Sequence, residues 1–69
     1  MKITKENEEQ VRWFARILRD MRVSQNTGMM ITSALKNESQ MDKLVEYIKE
    51  NINATEEEIL DKAIEIREQ

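Results

Sequence analysis

The sequence predicts an all-α fold, a small bundle of three to four helices ending in a helical hairpin. Three observations point there. Apolar residues recur at i, i+3, i+4 and i+7 in separate stretches, the spacing of one helix face. Proline is absent and glycine occurs once, so little in the chain breaks a helix. Asn, Ser and Thr stand where helix caps are needed, with acidic residues just after them. At 69 residues the chain is one domain, 1–69, close to the smallest size that a hydrophobic core stabilises unaided.

The first helix is expected from about Lys5 to Arg22, with Thr4 as its N-cap. Glu6, Glu8 and Glu9 lie in its first turns, where the helix dipole favours anions. Val11, Phe14, Ile17, Leu18 and Met21 form its inward face, and Trp13 falls at the edge of that face. Val23 to Gly28, VSQNTG, reads as a loop because Ser, Asn, Thr and Gly all favour turns. Met29 to Lys36 reads as a short helix. On a strand Met30 would share a face with Thr32 and Ile31 with Ser33, so alternation fails. On a helix Met30, Ile31, Ala34 and Leu35 group together and Met29 faces away.

Asn37 and Gln40 form a weak capping box for the next helix, which runs to Glu50 or Asn51. Met41, Leu44, Val45, Ile48 and Ile52 make its stripe, flanked by Tyr47. Asn51–Ala54 is a turn. Thr55 followed by Glu58 is the strongest local signal in the chain, a capping box that starts a last helix, Glu56 to about Glu68. Ile59, Leu60, Ala63, Ile64 and Ile66 are expected inward. The short connection makes the last two helices a near-antiparallel hairpin.

Composition narrows function by exclusion. No His and no Cys means no imidazole base, no thiolate and none of the commonest zinc ligands. No glycine-rich phosphate loop and no calcium-loop spacing occurs. No enzyme, no metal site and no cofactor is expected. The longest apolar run is Met29-Met30-Ile31, far below the length of a membrane span or a signal sequence, so the expected location is cytoplasmic, with no membrane partner.

The net charge of -3 is unevenly spread. Residues 1–36 carry seven basic and four acidic groups, and residues 37–69 carry four basic and ten acidic groups. Arg12, Arg16 and Arg19 lie at i, i+4, i+7 on the outer face of the first helix, with Arg22 beyond them. Guanidinium groups in such a row suit phosphates or carboxylates. The bland alternative is a solvated face with Glu8–Arg12 and Arg16–Asp20 pairs. Glu57, Glu58, Asp61, Glu65 and Glu68 give the last helix an acidic outer face, with Lys62 placed to pair with Glu58. Trp13 and Met29 are the expected exposed apolar contacts. The VSQNTG loop has the outline of a helix-turn-helix unit, but the pI near 5.0 and the lack of a basic recognition helix argue against direct nucleic-acid binding.

The expected function is therefore protein–protein binding without catalysis, by a regulator, adaptor or inhibitor of the kind that phages and mobile elements encode. One version is an inhibitor of a nucleic-acid-handling enzyme, with the acidic face imitating the phosphates of the nucleic acid that the enzyme binds. The alternative is capture of an anion or nucleotide by the arginine row, in an oligomer. Homo-oligomerisation, as a self-complementary homodimer, is expected on either reading, because the apolar surface is wide for so small a chain and the two charged faces are complementary.

Overall fold

Four α-helices and no strand make up the computed structural model, which describes residues 1–69: α1 (Glu8–Asp20), α2 (Gln25–Ala34), α3 (Glu38–Glu50) and α4 (Glu56–Arg67). α1 packs on α2 and α3, and α4 packs on the same two, so α1 and α4 take opposite sides of the bundle. α3 and α4 form the terminal helical hairpin. Thirteen apolar side chains make one core, with Phe14, Ile31, Leu35, Met41, Leu44 and Ile59 fully enclosed. No helix is long and apolar enough to cross a membrane.

α1 begins three residues later than its periodicity implied. Thr4 does not cap it. The Asn7 side chain is buried and accepts the Thr4 N–H at 2.8 Å while donating to the Lys2 carbonyl and to Glu38 Oε1, both at 3.0 Å. That amide pins the N-terminal segment to the start of α3, which holds residues 4–7 in a turn instead of a helix. α1 closes in a left-handed cap. Arg22 has φ 63°, the Val23 N–H reaches the Leu18 carbonyl at 3.0 Å, and the Arg22 N–H reaches Arg19 at 2.9 Å. These two bonds satisfy carbonyls that a helix end otherwise leaves open.

The largest correction concerns residues 23–28. The loop expected there is mostly helix, because Ser24 acts as an N-cap and accepts the Thr27 N–H at 3.3 Å. Glu56, at the start of α4, accepts the Ser24 N–H at 2.7 Å and so supports the same helix start from across the bundle. Starting at Gln25 instead of Met29 rotates nothing but adds a turn, and Gly28 becomes an interior helical residue. Met30 is not inward as expected. Ile31 and Leu35 fill the core side of this segment, and Met30 is 57% exposed.

α3 follows its expected stripe through Met41, Leu44, Val45 and Ile48, all buried. Asn37 accepts the Gln40 N–H at 2.9 Å. Gln40, however, does not close a box on Asn37. Its buried amide accepts from the Lys36 N–H at 2.8 Å and donates to the Ile66 carbonyl at 3.1 Å, fastening the head of α3 to the tail of α4. Ile52 leaves the stripe: the helix stops at Glu50, and Ile52 points outward from the turn. The Thr55–Glu58 capping box is complete, with bonds of 2.9 and 3.2 Å. Ile59, Ala63 and Ile66 are buried on α4, whereas Ile64, expected inward, is 37% exposed. Three buried positions suffice to fill the gap that α2 and α3 leave, so the wider apolar arc of α4 overhangs into solvent.

Candidate functional site

The main surface feature is an open groove of about 630 Å³ between α1, α2 and the N-terminal segment. Val11, Ala15 and Leu18 of α1 form one wall and Gly28, Met29 and Thr32 of α2 the other. Met1 and Ile3 close one end, and Val23 and Ser24 lie at the helix junction. Ile3 and Met29 are more than half exposed, large apolar side chains held in water. Such side chains are costly to display together unless something covers them.

Sequence dictates this shape locally. α2 carries no charged residue along its length, so its groove-facing side is neutral. Gly28 has no side chain, which deepens the groove floor beside Leu18. Two of the three hydroxyls lining the groove are engaged: Ser24 caps α2, and Thr32 donates to the Gly28 carbonyl at 2.9 Å. Arg19 carries the one charged side chain among those lining the groove, beside the Met1 ammonium, which donates to the Ser33 carbonyl at 3.4 Å.

Of the residues singled out in the sequence, the groove brings together Arg19 and Met29. Arg12 and Arg16 continue the row outward from Arg19 along α1, on its solvent side. Arg12 pairs with Glu8 at 2.7 Å, both groups being well exposed. The expected Arg16–Asp20 pair does not form, and Arg16, Arg19 and Arg22 have no carboxylate partner within the chain. Arg22 leaves the row because its left-handed backbone ends the helix. Trp13 is 45% exposed but lies across the arginines from the groove and takes no part in it.

The acidic residues stand elsewhere. Glu57, Asp61 and Glu68 are exposed on the outer side of α4, around Ile64. Glu58 accepts the Thr55 N–H, and that backbone bond, followed by the Thr55 hydroxyl, holds its carboxyl below the usual range. Lys62 does not pair with Glu58 as expected; it reaches Glu65 at 3.2 Å and sits 5.5 Å over the Tyr47 ring. Glu56 is also held low, by the Ser24 hydroxyl first and the Ser24 N–H second, and Glu38 by its own backbone N–H and then by Asn7. No group of three or more acidic residues is arranged to hold a metal ion.

Sequence reasoning missed Ile3 and Gly28 as parts of the groove. Ile3 is a lone apolar residue in a charged stretch, so no period announces it. Gly28 was readable only as a turn residue. Compared with protein-family models, with curated proteins and with solved structures, the chain matches none of them.

Proposed function

We propose that the protein is a non-catalytic binding module that docks an acidic, amphipathic helix of a protein chain in the α1–α2 groove, acting as a regulator or adaptor. The observation that carries this reading is an apolar groove with Ile3 and Met29 exposed in it and Arg19 on its wall, at the end of an arginine row on the solvent side of α1. Helix-in-groove recognition takes apolar anchors from one helix face and orientation from charges beside them. The arginines supply the second part, because three of the four have no partner in their own chain. Gly28 also fits: glycine inside a helix is destabilising, and here it opens the groove floor.

The test is an NMR titration of the labelled protein with a short acidic amphipathic peptide of unrelated sequence, against a charge-reversed peptide of the same apolar pattern. The acidic peptide is expected to shift the amides of Ala15, Arg19, Met29 and Thr32, and Arg16→Glu with Arg19→Glu to abolish the effect. Equal shifts with both peptides, or shifts outside the groove, would refute the reading.

The unpaired arginines also favour a second reading, anion or nucleotide capture. Adding ATP or inorganic phosphate to the same sample separates the two. Shifts centred on Arg12, Arg16 and Arg19, with the α2 wall unmoved, would support capture.

A further inference from the structure

We infer that the helix that fits this groove is α4 of a second copy of the same chain, and that copies assemble head to tail. The inference rests on the docking reading above and names its occupant. Charge complementarity carries it. The basic row Arg12, Arg16 and Arg19 spans i, i+4, i+7 on α1, and the acidic row Asp61, Glu65 and Glu68 spans i, i+4, i+7 along α4 and its C-cap residue. At about 1.5 Å rise per residue each row is about 10 Å long. Both rows face solvent, and each contains one ion pair: Arg12–Glu8, exposed on both sides, and Lys62–Glu65, in which Glu65 is exposed and Lys62 is partly covered beside Tyr47.

The apolar parts agree in position. Ile64 is exposed beside the acidic row. Projected at about 100° per residue, it lies on the same angular side of that row as Ala15 lies of the arginine row. When two helices meet antiparallel, like angular sides coincide. Arg19 then faces Asp61, Arg12 faces Glu68, and Ile64 falls toward the groove beside Ala15 and Met29. A parallel approach would send Ile64 to the Trp13 side, away from the groove.

The fold also fixes the symmetry. α1 and α4 lie on opposite sides of the bundle, so one copy cannot give its α4 to a partner and accept that partner's α4 in the same pairwise contact. Contacts between two different surfaces propagate into chains or rings instead of closing a two-fold dimer. The interface is small and its charges are exposed, so association is weak and salt-sensitive.

Sedimentation velocity on the full chain tests this, over protein concentrations from micromolar to millimolar. The average mass of the wild type is expected to rise with concentration, and the association to weaken roughly tenfold on going to molar salt. Arg16→Glu with Arg19→Glu should be monomeric, and so should Asp61→Lys with Glu65→Lys. Circular dichroism confirms that each still folds. Mixed in equal amounts they should assemble again, the two variants alternating, since every groove then meets an α4 of opposite charge. All four changes in one chain should restore wild-type assembly. A wild type that stays monomeric overturns the inference, as does assembly that persists in both variants or a mixture that stays monomeric. A monomeric wild type whose groove still takes up the unrelated acidic peptide leaves the docking reading intact and removes self-docking alone.

Discussion

Gly28→Ala separates what α2 needs as a helix from what the groove needs as a surface. In a helix interior glycine is about 1 kcal/mol less favourable than alanine, because it loses more backbone freedom on folding. Packing does not demand the glycine here. An added Cβ would meet only Leu18 Cδ1, at 3.8 Å, an ordinary van der Waals distance. The substitution is therefore expected to stabilise the fold by about 1 kcal/mol, which for a domain of this size raises Tm by roughly 4–8 °C. Thermal melting by circular dichroism measures it, and urea unfolding with an unchanged m-value confirms a two-state gain. The same methyl group partly fills the groove floor, so uptake of the acidic peptide is expected to weaken. A lower Tm would refute the packing argument. A higher Tm with unchanged peptide affinity would refute the role given to the groove floor.

Arg22→Gly is expected to stabilise as well, by about 0.5–1 kcal/mol after the unfolded-state entropy of glycine is subtracted from the left-handed cost at φ 63°; Arg22→Ala, which removes the same charge without that relief, should show no gain in a parallel melt. Gln40→Ala strands the Lys36 N–H and the Ile66 carbonyl and is expected to cost about 1–3 kcal/mol by urea unfolding, and a loss too small to resolve would show that water replaces both bonds. Glu38, Glu56 and Glu58 are all held below their ordinary value of 4.5 in the fold. Each therefore contributes stability that is fully present above that value and is lost as pH falls through the lower folded value. Tm should be flat near neutrality and drop below about pH 4.5, and Glu56→Gln, neutral throughout, should show a smaller drop; an identical drop would remove Glu56 from the account.

What the sequence made legible was whatever depended on neighbours along the chain. The Thr55–Glu58 box is complete within four residues, and it appears as read. The Met41, Leu44, Val45, Ile48 stripe is a local period, and all four are buried. Elements fixed by distant groups were misread. Asn7 spends its amide on Glu38, 31 residues away, and this shortens α1. Ser24 starts α2 inside a stretch whose composition favours turns, and its N–H is held by Glu56 from 32 residues on. Exposure failed for a related reason. Met30, Ile52 and Ile64 are as apolar as the core residues beside them, and only the number of neighbouring helices decides which are covered. The groove has the same origin, since it lies between elements and Ile3 joins it from outside any helix.

The polar ties between helices also bear on how the chain divides. Asn7–Glu38 and Gln10–Asp42 join α1 to α3, and Ser24–Glu56 joins α2 to α4, so the linkages interleave along the sequence. A single nick between α2 and α3 severs none of these bonds but places both ends of each on separate pieces. Each piece is then a two-helix fragment below the size at which a core stands alone. The pieces carry opposite net charge, positive for residues 1–36 and negative for residues 37–69. Nicked protein thus becomes a complementing pair, in which folding is a second-order reaction and stability depends on the concentration of both fragments.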